Sequence, residues 1–153
     1  MKLYHLLILI VSLTFIANAS VSFNIPEDHE DFPYLDSLYT LIVKLQKIVT
    51  QKDKVYLPDP FVRRQKKFAA KEEYYDLLIA SQTLTTESLL TFYNTLKQYY
   101  EARLLYFEKL LAILPADDRA PCFALYRQAR DNFGAIQQAI LKYSPQEIIL
   151  GDE

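Results

Sequence analysis

Apolar and polar positions recur along this chain at helical spacing. Leu35, Leu38, Ile42, Leu45 and Val49 step by three and four, which sets them on one side of a helix predicted over residues 34–52. Leu41 and Ile48 widen that stripe, so this first helix is expected to be well buried. Phe61, Phe68 and Tyr75 repeat every seven residues and are joined by Leu78 and Ile79. They predict a second helix, opened by an Asp59 cap with Pro60 at its first position and closed near Ser81 or Gln82.

The third helix has the longest pattern. Leu89, Tyr93, Leu96, Tyr100, Leu104, Phe107, Leu111 and Leu114 advance by steps of three and four, averaging close to the ~3.6 residues of an α-helical turn. Thr85 or Thr86 caps it, Glu87 suits the positive end of the helix dipole, and Pro115 stops it. A fourth helix carries Leu125, Ala129, Phe133, Ile136, Ile140 and Tyr143 on its apolar side. Asp118 is its expected cap, with Pro121 in the first turn and Ser144-Pro145 as the stop. Gly134 inside this helix costs ~1 kcal/mol relative to alanine. With Ala135 and Ala139 nearby, it fits either a close helix crossing or a simply tolerated glycine.

Four amphipathic helices with short links predict an all-α fold, an up-down antiparallel four-helix bundle over residues 34–144. An extended acidic lead-in, residues 20–33, precedes it, and a tail, residues 145–153, follows. Only two glycines stand in the chain, too few for turn-rich β architecture.

The N-terminus adds a compartment. Lys2, the apolar run from Leu6 to Ile16 and the small residues of Ala17-Asn18-Ala19 make residues 1–19 a cleavable signal peptide, cut before Ser20. The run is shorter than the ~20 apolar residues that a spanning helix requires, and no later segment is long and apolar enough to span. The expectation is therefore a secreted protein, extracellular or periplasmic, that is not an integral membrane protein after processing. Only Lys2 of the 17 basic residues falls within the signal, so 17 − 1 = 16 basic residues remain against 19 acidic ones, a slight acidic excess. That balance argues against nucleic acid as a partner.

Chemistry is limited by what is missing. Cys122 is the only cysteine, which rules out an intrachain disulfide and leaves the fold to its core. His29 is the only histidine beyond the signal, and Met1 the only methionine, so no multi-histidine zinc site and no Met/His haem pocket fits within the mature chain. No cofactor is expected. Cys122 and His29 form the only available thiol–imidazole pair, the basis of a hydrolase reading that ranks last. Glu72-Glu73 and Asp117-Asp118 are sequence neighbours, which a helix turns about 100° apart, so neither is a paired acid and base on adjacency alone.

Two positive signs remain. The run Arg63, Arg64, Lys66, Lys67 and Lys71 suits an anionic partner such as a sulfated glycan or lipid headgroups, with Arg63, Arg64 and Lys67 as candidate binding residues. Tyrosines crowd the middle helices, and Tyr99-Tyr100 cannot both face one core. Tyr99 and Tyr106 fall toward the flanks of the third stripe and are candidate residues of an interaction surface. The reading is a secreted, soluble, non-enzymatic helical-bundle protein that binds another protein. The alternative is a carrier holding a small apolar ligand between its helices, although Phe92, Leu96, Phe107 and Phe133 favour a filled core.

Overall fold

Five helices account for most of the computed structural model, which describes Phe23 and residues 25–64 and 68–145, with residues 68–70 as backbone only. They are α1 (Phe32–Tyr56), α2 (Pro60–Arg64), α3 (Phe68–Ala80), α4 (Thr86–Ile113) and α5 (Ala116–Tyr143). No strand occurs among the described residues. The expected signal peptide, residues 1–19, residues 146–153 of the tail and Lys67 lie outside them.

The direction of the long helices follows from the two halves of the core. Leu35, Leu38, Ile42 and Leu45 of α1 meet Tyr106, Phe107 and Leu110 of α4 and Cys122, Leu125 and Ala129 of α5. Leu57 and Val62 join Leu89, Phe92 and Tyr93 near the start of α4 and Ile136 and Ala139 toward the end of α5. Both α1 and α5 therefore run antiparallel to α4, which lies between them. The all-α antiparallel bundle expected from the pattern is the fold observed. Its second segment does not run the full length: Tyr75, Leu78 and Ile79 of α3 all pack in the half that holds Leu57 and Leu84. A helix of 13 residues spans ~20 Å, about half of the ~42 Å that 28 residues of α4 cover.

Local chemistry sets the helix ends. The Thr85 hydroxyl accepts from the Ser88 N–H at 3.1 Å, so the expected cap of α4 is present. Helix α3 closes with the paired bonds of a left-handed cap, Gln82 N–H to Ile79 and Thr83 N–H to Leu78. Gln82 holds a φ of 62°, where glycine is the usual residue. Two helices differ from expectation in their boundaries. Helix α1 runs from Phe32 to Tyr56, longer than 34–52 at both ends. Helix α5 begins at Ala116 after Pro115, with Asp117 and Asp118 in its first turn rather than Asp118 as cap. The dipole favours the acids there, without a side-chain cap bond.

Three packing expectations are corrected. Leu41 and Ile48 do not extend the buried stripe; both are exposed, because only the α4 side of α1 is covered. Phe61 is 72% exposed, and its neighbour Val62 takes the core position instead. On α4 the buried sector is wider than one stripe, adding Phe92, Tyr99, Ala102, Arg103, Tyr106 and Leu110. The physical reason is that α1 and α5 cover α4 from two directions. Gly134 has nothing within 4 Å of where a Cβ would stand, so it marks no close crossing.

Candidate functional site

The two tyrosines expected at the flanks of α4 lie in the core. Tyr99 and Tyr106 are each 7% exposed, and neither presents a ring to a partner. Tyr106 packs against Tyr39, with ring centroids 6.2 Å apart, and its burial pushes the hydroxyl up to about 12. Tyr99 lies edge-on to Tyr100 at 5.0 Å and accepts a hydrogen bond from Arg103 Nη1 at 2.9 Å. Arg103 is itself only 4% exposed, and its guanidinium lies between the rings of Tyr99 and Phe107, at 5.4 and 5.3 Å. Nothing in the sequence pattern marks this residue, because arginine on an amphipathic helix ordinarily reads as a solvated position.

The basic residues stand elsewhere. Arg63 Nη1 donates to the carbonyls of Leu57 and Pro58, at 3.1 Å each, and so pins the link between α1 and α2. Arg64 is exposed beside it. Tyr106 belongs to one half of the core, and Val62, between Phe61 and Arg63, to the other. The structure does not gather Arg63, Arg64, Tyr99 and Tyr106 into one site.

The groups that enter the hydrolase reading are occupied in the fold. Cys122 is fully buried, its Sγ donates to the Phe107 carbonyl at 3.6 Å, and burial pushes the thiol up to about 11. A thiol held in that state is a poor nucleophile. His29 Nδ1 accepts from the Asp31 N–H at 3.0 Å, and the Asp31 carboxylate pairs with Lys109 at 3.3 Å. These contacts fasten the lead-in to the end of α4. Glu73 is exposed, whereas Glu72 turns toward Lys142 at 4.0 Å, its carboxyl raised first by burial. Asp76 accepts from Tyr143 and from Lys142, the latter at 3.2 Å, and so ties α3 to α5. Among the described residues no three histidine, cysteine or acidic side chains are grouped to hold a metal ion.

What α1 does present is an outward apolar row. Tyr34, Leu41 and Ile48, spaced by seven, are between 38% and 46% exposed, as is Leu105 on the neighbouring α4. Tyr34 and Leu105 line an open groove of about 460 Å³ together with Ala112 and the charged Asp31, Glu108 and Lys109. A smaller hollow of about 150 Å³ lies by Phe23, Ile25, Leu35, Tyr39 and Tyr106. The seven-residue spacing of the row was visible in the sequence; that it faces away from the core was not. Compared with known proteins, the chain matches no protein family, no curated protein and no solved structure.

Proposed function

We propose that this is a secreted, non-enzymatic helical-bundle protein that acts by binding another protein along the outer face of α1 and α4. One observation carries the reading: Tyr34, Leu41, Ile48 and Leu105 keep a large fraction of their apolar surface in water although the chain has a core to offer. A row of exposed apolar side chains with charged residues at its rim is a common form of protein-binding surface. Regular spacing along a helix suits a partner that lays an apolar ridge beside it. The engaged thiol and imidazole support the non-enzymatic part of the reading. The carrier alternative draws less support: the hollow of about 150 Å³ is small beside the ~300–1,000 Å³ of ligand pockets, and the larger groove is open and lined in half by the charged Asp31, Glu108 and Lys109.

A photo-crosslinking residue placed at position 41, with position 137 on the exposed side of α5 as control, tests the surface in a secreting host. Crosslinks to one defined protein at 41, absent at 137 and lost when Leu105→Asp is added, are the expected result. Equal labelling at both positions would remove the reading. Intact mass of the secreted product should place its N-terminus at Ser20. A rise in melting temperature with fatty acids or other apolar ligands would favour the carrier instead.

A further inference from the structure

Charge is spread unevenly along this chain. Nine of its 17 basic residues fall between positions 44 and 71, where only two acidic residues, Asp53 and Asp59, stand. Both acids are engaged within the fold. Asp53 accepts from the Tyr75 hydroxyl at 3.4 Å, and Asp59 Oδ1 accepts from the Phe61 N–H at 2.8 Å. Lys44, Lys47, Lys52, Lys54 and Arg64 are exposed. The end of α1 and the start of α2 thus form a basic corner on a chain whose remaining charge is acidic.

Apolar side chains protrude from the same corner. Val55 and Phe61, each 72% exposed, are the most exposed large hydrophobic residues among those described. Their neighbours explain why. Leu57 and Val62 are 1% and 3% exposed and anchor the link to the core, which leaves Val55 and Phe61 directed to water. Phe61 follows Val55 by six positions, so their Cα atoms lie within about 20 Å even for an extended chain.

Bases alone fit any polyanion. A valine and a phenylalanine protruding among them gain nothing from a hydrated glycan, but they do gain from the boundary between headgroups and acyl chains. Lysines flanking such residues keep their ammonium groups in the headgroup layer. We propose that the α1–α2 corner is a docking surface for an anionic lipid bilayer, with Lys44, Lys47, Lys52, Lys54 and Arg64 over the headgroups and Val55 and Phe61 inserted between them. Among the described residues no helix is long and apolar enough to cross a membrane, so this association is peripheral. It goes beyond the protein-binding reading and centres on the end of α1, whereas that reading centres on Tyr34, Leu41 and Leu105; Ile48, between Lys47 and Lys52, borders both surfaces.

Co-sedimentation of protein recovered from a secreting host tests the proposal, with vesicles of phosphatidylcholine alone and of equal parts phosphatidylcholine and phosphatidylserine. The protein should bind the anionic vesicles, not the neutral ones, and release them as salt rises. Lys47→Glu and Lys54→Glu should each weaken binding by at least about fivefold, the effect of one charge near an anionic surface. Val55→Ala with Phe61→Ala should weaken it by about tenfold or more, while retention on heparin stays unchanged. Arg127→Glu with Arg130→Glu, exposed on α5, should leave vesicle binding as it was. All these positions are exposed, so each variant should stay folded with a melting temperature within a few degrees of the wild type, Lys54→Glu shifting most because Lys54 stands in the last turn of α1. Three results would overturn the proposal: no preference for phosphatidylserine, vesicle binding indifferent to loss of Val55 and Phe61, or equal loss in the α5 variant. The second, joined with heparin retention that follows the lysines, would assign the corner to a sulfated glycan.

Discussion

Arg103 Nη1 donates to the Tyr99 hydroxyl at 2.9 Å, one helical turn away, in the interior of the bundle. No carboxylate pairs with this guanidinium among the described residues, and its Nε has no hydrogen-bond partner there. The rings of Tyr99 and Phe107 on either side supply what compensation there is. A buried charge of this kind lowers stability relative to an apolar side chain of similar volume. Arg103→Met is accordingly expected to raise the melting temperature. Tyr99→Phe, which takes away the hydroxyl and keeps the ring, should cost ~1–3 kcal/mol, the penalty for leaving a charged donor unsatisfied. Combining the two should abolish most of the tyrosine effect in urea unfolding. Additive losses would mean that the bond contributes little.

Two backbone positions hold the residue that the other one needs. Gln82 adopts a left-handed φ of 62°, and Gly134 sits inside a helix with open space where a Cβ would stand. Gln82→Gly should stabilise by up to ~1 kcal/mol by removing the Cβ clash. Gly134→Ala should stabilise by ~1 kcal/mol through helix propensity and a less flexible unfolded chain. A methyl at position 134 meets nothing within 4 Å, Gln82 included, so the double variant should show the sum. Chemical denaturation of the three variants checks this; a loss at Gly134→Ala would reveal a packing constraint there.

Burial holds the Asp53 carboxyl above its ordinary value, against the opposing pull of Lys71, the Tyr75 hydroxyl and Arg63. The folded state therefore binds this proton more tightly than the unfolded state does. In the window between the two pKa values, stability falls as pH rises, and the penalty is complete above the folded value. Asp53→Asn removes the charge and keeps an acceptor for Tyr75. Its melting temperature should exceed that of the wild type at neutral pH, and the gap should close as pH falls through the raised pKa toward 3.8. A gap that is constant with pH would show that the carboxyl does not titrate with folding.

Cys122 is fully buried, with its thiol pushed up to about 11. A thiol reagent should label the native protein slowly and the denatured protein at once. Reductant should leave the far-UV circular dichroism unchanged, because the core alone holds the fold. Loss of helix on reduction would instead point to an intermolecular disulfide as a structural element.

The helices themselves, and most of their ends, could be read from residue spacing and end chemistry. Thr85 caps α4 through a local bond, Pro115 separates α4 from α5, and Leu35, Leu38, Ile42 and Leu45 form the buried side of α1. These features depend on interactions within a turn or two, which a one-dimensional pattern carries in full. What tertiary structure decided is which sides of each helix are covered. Tyr99 and Tyr106 became core because α4 is enclosed by both α1 and α5, whereas Leu41 and Ile48 stayed outside because α1 is covered on one side only. The same enclosure buried Arg103, while the anchoring of Val62 in the core left Phe61 outward. A stripe records that a helix has an apolar side; how wide a sector is buried depends on how many neighbours arrive, and that is fixed only when the chain closes on itself.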